Sequence, residues 1–416
     1  MKAIEMEGGR RLNGEVTIQG SKNAVLPMMA ASLLCKGTTV IHGCPKIEDV
    51  FCMIELLKYV GCKIRFEGHT IEIDAADITK NELMDKAVRN LRASVLFLGS
   101  LLGRSGSAEV YYPGGCNIGK RPIDFHLKAF EKMGADVSVR QECISCEAHK
   151  LSGAKIHLDF PSVGATENII LAAVLAEGIT WIGNAAREPE VVELCRFLRA
   201  MGAVIEGEGT EHILIQGVTR LYPVEYTVPH DRIVLSTFGL LIAGTGGSVI
   251  LRTGEKKIPS DLQILSRIGC QVKVFEGIVS VRQRSRPKPI YYIKTRPYPG
   301  FPTDVQSLLL AVLAKAEGDS IVEEGIFENR FRIVAQLKKM GADIETLGNR
   351  VYVRGTKELY GSCLLAEDLR GGAALVLAGL MAEGISRLEQ AEYIARGYEN
   401  YVENLKRIGA KIQAVD

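Results

Sequence analysis

An amphipathic run that ends in Gly-Ala or Gly-Cys and passes straight into an alternating stretch recurs six times along the chain. The copies are LLKYVGCKIRF, AFEKMGADVSV, FLRAMGAVIEG, ILSRIGCQVKV, QLKKMGADIET and NLKRIGAKIQA. Their glycines, Gly61, Gly134, Gly202, Gly269, Gly341 and Gly409, stand at steps of 73, 68, 67, 72 and 68 residues. Apolar spacing of three and four predicts a helix, strict alternation predicts a strand, and glycine between them predicts a left-handed helix C-cap. A second, almost wholly apolar helix precedes each run, as in LAAVLAEGITWI, LAVLAKAEGDSIV and VLAGLMAEGISRL. Two alternating strands follow each glycine, as in NRVYVRGTKELYGSCLLA. The unit reads β-α-β-α-β-β, repeated six times.

The N-terminal KAIEMEGGRRLNGEVTIQG resembles the end of a unit rather than its start. It is expected to supply the strand pair that the last copy lacks, so both ends of the chain should close one domain. Six units divide into two lobes of three near TVPHDRI, where Pro229 precedes the fourth helical run. The expected lobes are residues 1–21 plus 230–416, and residues 22–229.

Composition narrows the class. With 416 residues, 47% hydrophobic and 24% charged, the chain has material for two or more cores. A net charge of +2, from 51 basic and 49 acidic residues, is too balanced for a dedicated nucleic-acid binder. No apolar run is long enough to suggest a spanning helix, and MKAIEMEGGRRLNGEV carries no signal-peptide core. Ten cysteines without secretory signals read as reduced thiols of a cytoplasmic protein. Cys143 and Cys146 make one C-x-x-C, but ADVSVRQECISCEAHKL alternates like a hairpin, so structural thiols and no metal site are expected.

The repeat also aligns unusual residues. The first helix of each unit begins at Ser21-Lys22-Asn23, Arg92-Ala93-Ser94, Gly164-Ala165-Thr166, Asp231-Arg232, Thr303-Asp304 and Asp368-Leu369-Arg370. The second helix starts carry Arg121, Arg187, Arg330 and Arg396 in four units. Helix N-termini offer unpaired N–H donors to anions, while arginine there gains nothing from the helix dipole. Cations at one repeat position in several units point to a polyanionic ligand. Asp304 reads either as a cap, with Thr303 its neighbour, or as a carboxylate able to take a proton from a substrate hydroxyl.

The stretch YYPGGCNIGKRPIDFH fits a phosphate loop through Gly114, Gly119 and Lys120, but Arg121 stands where Mg²⁺ needs a hydroxyl. The glycines read as a lid carrying a thiol, Cys116, with Lys120 and Arg121 meeting an anion by side chain.

With GSKNAVLP, LRAS, PGGCNIGKRPIDFH, PSVGATENI, NAAREPE, FPTD, FENRF, EDLRGGAALVLAG and ARGYE in place, the chain resembles, end to end, the UDP-N-acetylglucosamine 1-carboxyvinyltransferase family of enolpyruvyl transferases. The resemblance implies an α/β (α+β) fold of two inside-out barrel lobes, each of three β-α-β-α-β-β repeats, with a cleft between them. It implies transfer of enolpyruvyl from phosphoenolpyruvate to the 3′-hydroxyl of UDP-N-acetylglucosamine, releasing phosphate with neither metal nor cofactor, as the first committed step of bacterial peptidoglycan synthesis.

On this resemblance Lys22, Arg121 and Arg396 would hold the phosphate of phosphoenolpyruvate and Arg330 and Arg370 its carboxylate, with Asn23 beside the sugar. Arg92, Arg121, Pro122, Ile123, Asp124, Phe125, Ser162, Val163, Gly164, Asp304 and Ile326 would line the UDP-sugar pocket. Cys116 would act at the enolpyruvyl carbons, as an acid at C3 or as a nucleophile forming an adduct at C2. The chain departs from the family pattern at Phe160, where relatives carry a basic residue, at Leu96 in place of tryptophan, and at DLRGGA. The shikimate-pathway enolpyruvyl transferases share the expected fold and cations; the loop cysteine distinguishes the UDP-sugar branch.

Overall fold

The computed structural model describes residues 2–84, 86–114, 119, 122–140, 142–254 and 262–415, for residues 86 and 87 the backbone alone. They form two compact units, one from residues 2–19, 119 and 230–415, the other from residues 20–114 and 122–229. Among the described residues each unit carries three four-stranded sheets.

One copy shows the unit without interruption. It runs through strand Lys155–His157, helix Val163–Ala173, strand Ile179–Gly183, helix Pro189–Ala200 and strands Val204–Glu206 and His212–Gln216. The first two strands pair in parallel, Lys155 opposite Trp181, and the remaining pairs are antiparallel. The glycine signal was correctly read: φ is +111° at Gly61, +90° at Gly134, +102° at Gly202, +99° at Gly269, +91° at Gly341 and +96° at Gly409. That conformation is costly for any residue with a Cβ, which is why the position is glycine in every copy.

The first helix of each unit lies inside. All thirteen residues of Leu369–Met381 are buried, as are Val305–Leu313 and Ala165–Ala173 in their helices. A helix apolar all round must be enclosed on all sides. The sheets enclose it, with strands such as His212–Gln216 alternating exposed and buried positions. Helices inside and sheets outside give the inside-out arrangement. One consequence bears on the chemistry: a buried helix body can meet a ligand only at its ends.

The N-terminal strands correct the expectation of a pair. Ala3–Glu7 inserts between Ile385–Glu389 and Lys411–Val415, antiparallel to both, and completes the sixth copy's sheet. Leu12–Thr17 instead runs parallel to Gly247–Arg252 and opens the fourth copy's sheet. The first copy takes its opening strand from Glu225–Thr227, parallel to Thr38–His42. The strand before helix Lys22–Ala31 and the strand before helix Arg232–Thr245 have thus exchanged sheets. Alternation identifies a strand and its buried face, but not which sheet receives it.

Asp136–Arg140 and Cys143–Glu147 form the expected hairpin. Cys146 faces the core and burial pushes its thiol up to about 12, while Cys143 lies 3.2 Å from Glu109 Oε1. Among the described residues no group of His, Cys, Asp or Glu could hold a metal, and no helix is long and apolar enough to cross a membrane.

Candidate active site

In the unit of residues 230–416, two inner helix starts meet. Helix Thr303–Leu313 begins at Pro302, and Asp304 occupies its second position. The N-cap position is Pro302, so neither Thr303 nor Asp304 occupies it. Instead, the Asp304 carboxylate bridges two arginines: Arg330 Nη2 donates to Oδ1 at 2.8 Å, and Arg370 Nη2 to Oδ2 at 3.4 Å. Arg370 is the second residue of helix Leu369–Met381, whose cap Asp368 accepts from the Arg370 and Gly371 N–H groups at 2.9 Å.

The arginine side chains are only 3% and 4% exposed, against 29% for Asp304. Arg330 Nε and Arg370 Nη1 are buried and find no hydrogen-bond partner among the described residues. Two buried guanidiniums sharing the Asp304 carboxylate keep spare donors. Such a site favours a second anion, since unsatisfied buried donors are costly. The Arg370 guanidinium also lies 5.4 Å from the centre of the Tyr398 ring, and the Tyr398 hydroxyl meets Thr237 Oγ1 at 2.9 Å.

Arg396 departs from its expected place. It is the C-cap of a short helix, Glu392–Ala395, and lies ahead of helix Tyr401–Arg407 rather than at its start. There the helix dipole favours a cation, the reverse of the sequence argument. Arg330 likewise precedes helix Ile333–Lys339 by three positions, just after the turn at Glu328 and Asn329. Ile326 is half-buried in the turn that leads to it.

In the unit of residues 20–229, Lys22 opens helix Lys22–Ala31 and pairs with Asp49 at 2.6 Å. Asp49 is buried and belongs to the first turn of helix Glu48–Tyr59. Asn23 is half-buried beside Lys22. Arg92 sits on a 3₁₀ turn, Arg92–Val95, ahead of helix Leu96–Ser105, and its Nη2 reaches the Pro122 carbonyl at 3.5 Å. Pro122 is exposed, Ile123 is buried, and Asp124 and Phe125 open helix Asp124–Lys132 half-buried. Ser162 caps helix Val163–Ala173, accepting from the Ala165 N–H, so Val163 and Gly164 begin a helix rather than form a free turn. Cys116, Lys120 and Arg121 lie outside the described residues. Gly114 ends the described part of the loop so close to Arg89 that a Cβ would stand 1.7 Å from its carbonyl oxygen.

The sequence reading passed over the tie that unites these elements. Asn168, fully buried, accepts from the Gly99 N–H at 2.8 Å and donates to the Val95 carbonyl at 2.9 Å, and its amide nitrogen lies 2.9 Å from His126 Nδ1. It thereby fixes the Arg92–Val95 turn, helix Asp124–Lys132 and helix Val163–Ala173 to one another. Its neighbour Glu167 is buried with Oε1 unpartnered, and burial, then Glu190 and Glu188, raise its carboxyl well above the ordinary range. The other signal missed was Asp49; both residues act across distances that no periodicity records. A depression of about 320 Å³ lined by Thr79, Lys80, Glu82, Glu109 and Glu147 contains none of the candidate residues.

The model of one family, EPSP synthase (3-phosphoshikimate 1-carboxyvinyltransferase), matches residues 6–405. The chain is 46% identical, over 99% of each chain, to UDP-N-acetylglucosamine 1-carboxyvinyltransferase 2 of Caldanaerobacter subterraneus subsp. tengcongensis. It is 45% identical, over 100% of each chain, to the UDP-N-acetylglucosamine 1-carboxyvinyltransferase of Desulfosudis oleivorans. The chain belongs to the UDP-N-acetylglucosamine 1-carboxyvinyltransferase family.

That family lies within the broader group that the EPSP synthase model describes, and its members are transferases. Among solved structures, the enolpyruvyl transferase NikO from Streptomyces tendae superposes with a TM-score of 0.89 at 24% identity, over 99% of this chain and 98% of that one. EPSP synthase from Acinetobacter baumannii superposes at 0.76 and 20% identity, over 100% of both chains. At those identities the likeness is one of fold. The gap between 46% and 20% identity places the chain with the UDP-sugar branch of the family and only distantly with the shikimate enzymes.

Proposed function

We propose that the chain transfers the enolpyruvyl group of phosphoenolpyruvate to the 3′-hydroxyl of UDP-N-acetylglucosamine, using residues of both units. The observation that carries the reading is the Asp304 carboxylate held with one oxygen on each of two buried arginines, Arg330 and Arg370. An α-keto-acid enol phosphate presents a carboxylate of the same shape. When it takes up the two guanidiniums, Asp304 is displaced and freed to accept the proton of the sugar hydroxyl.

The family resemblance supplies the remaining roles. Lys22 and Arg396, with Arg121, bind the phosphate; Arg92, Pro122–Phe125, Ser162–Gly164 and Ile326 bind the UDP-sugar, with Asn23 beside it. The sugar oxygen adds at C2 while a proton is delivered to C3. Loss of that proton and cleavage of the C2–O bond to phosphate then restore the double bond. Cys116 serves either as the acid at C3 or as a nucleophile at C2. Phosphate release measured with phosphoenolpyruvate and either UDP-N-acetylglucosamine or 3-phosphoshikimate tests the reading. Release with the UDP-sugar alone supports it; release with 3-phosphoshikimate alone, or with neither, overturns it.

A further inference from the structure

Glu323 and Glu324 are adjacent and do different work. Glu323 takes two cations, Lys294 and Arg350, each at 2.6 Å. Glu324 is buried, 3% exposed, and receives four neutral donors. Its Oε1 accepts from Thr295 Oγ1 at 2.7 Å, from the Ile326 N–H at 2.8 Å and from the Phe327 N–H at 3.3 Å. Its Oε2 accepts from Thr303 Oγ1 at 3.0 Å. The surrounding chain is tied down as well. Gly325 N–H donates to Thr295 Oγ1 at 2.8 Å, the Glu324 N–H to the Asn349 carbonyl at 2.9 Å, and Asn349 Nδ2 to the Glu324 carbonyl at 3.1 Å.

The Oε1 bonds alone would make an ordinary turn. The Oε2 bond goes further, because Thr303 is the first residue of the helix that carries Asp304. One buried carboxylate therefore joins the turn bearing Ile326 to the helix start bearing Asp304. Three of the four donors converge on Oε1 and the fourth meets Oε2, so both oxygens are engaged.

We infer that Glu324 is a positioning residue for the UDP-sugar, holding Asp304 and Ile326 in one fixed relation; this rests on the functional reading above. Misplacement of a reacting group by about 1 Å costs on the order of 10²-fold in rate. Glutamine keeps the acceptor for Thr295, Ile326 and Phe327, and its amide can donate to a rotated Thr303 hydroxyl, so it is the conservative replacement.

The test compares wild type, Glu324→Ala, Glu324→Gln and Thr303→Val. It measures calorimetric Kd for UDP-N-acetylglucosamine, KM for each substrate, kcat and Tm. Glu324→Ala is expected to weaken UDP-N-acetylglucosamine roughly tenfold or more and to lower kcat, with KM for phosphoenolpyruvate within about threefold of wild type. Glu324→Gln should recover most of both losses, and Thr303→Val should move the same parameters less far. A Glu324→Ala protein with unchanged UDP-sugar affinity, or with both substrates weakened equally, overturns the inference. Where the alanine variant fails to fold, Thr303→Val decides: a silent Thr303→Val overturns it too. Wild type that does not bind UDP-N-acetylglucosamine overturns the functional reading, and this inference with it.

Discussion

Arg330 Nη2 stands 2.8 Å from Asp304 Oδ1, and the arginine is by far the more enclosed partner, 3% exposed against 29%. The cation is fixed and the carboxylate is the member that can leave. Asp304→Asn keeps the shape and one acceptor but cannot take the 3′-proton. It is expected to lower kcat by on the order of 10²–10⁴-fold while UDP-N-acetylglucosamine still binds. Steady-state kinetics beside calorimetry checks this; a variant within about threefold of wild type in kcat rules out the base role.

Lys22→Ala and Arg396→Ala should raise KM for phosphoenolpyruvate far more than for the UDP-sugar. Charge-assisted bonds to phosphate are strong and directional, and each variant removes a cation placed at a helix end. Equal weakening of both substrates would remove the phosphate assignment.

Thiol chemistry should be selective. Burial pushes the Cys62, Cys146, Cys195 and Cys270 thiols up to about 12, and burial with Glu109 pushes Cys143 up to about 11. Near neutral pH these thiols stay protonated. Lys120 and Arg121 should act on Cys116 in the opposite sense. Fosfomycin is expected to alkylate Cys116 in wild type, with exposed Cys363 untouched by the drug but open to iodoacetamide. Cys116→Asp should retain substantial turnover and Cys116→Ala almost none. Aspartate as inactive as alanine would favour obligatory covalent chemistry at sulfur, and alanine as active as wild type would end the catalytic role.

Glu167 sets a pH dependence. Its folded-state carboxyl titrates well above the ordinary 4.5, through burial first and then Glu190 and Glu188. The folded chain therefore holds a proton that the unfolded chain has lost, and stability falls as pH rises from about 4.5 through the folded value. Glu167→Gln removes that loss. It should melt higher than wild type at pH 8, and the difference should shrink towards pH 4.5. Calorimetric melting across that range checks it; a difference that does not change with pH refutes it.

Much of the architecture was legible because it is written as repetition. Six glycines at near-constant steps mark six positive-φ turns, and apolar helices before them mark the enclosed bodies. Lys22, Asp304 and Arg370 could be placed at helix starts because the same position recurs in each copy. Other features depend on partners rather than pattern. The strands Ala3–Glu7 and Leu12–Thr17 look alike yet join different sheets. Asp304 looks like a cap until Arg330 and Arg370 arrive from 26 and 66 residues away. Asn168 and Glu324 hold distant segments through single side chains, and nothing in their neighbourhoods announces it.

The exchange of opening strands also orders events during synthesis. The unit of residues 20–229 takes its last strand, Glu225–Thr227, from its own end, so it can complete itself once that stretch has left the ribosome. The other unit cannot. Ala3–Glu7 is made long before its two partners, Ile385–Glu389 and Lys411–Val415. Both N-terminal strands must wait for distant partners, Leu12–Thr17 until Gly247–Arg252 is made and Ala3–Glu7 until Ile385–Glu389 and Lys411–Val415 follow. Their polar outward positions, Glu5, Asn13 and Glu15, keep an unpaired edge from recruiting another nascent chain in the meantime.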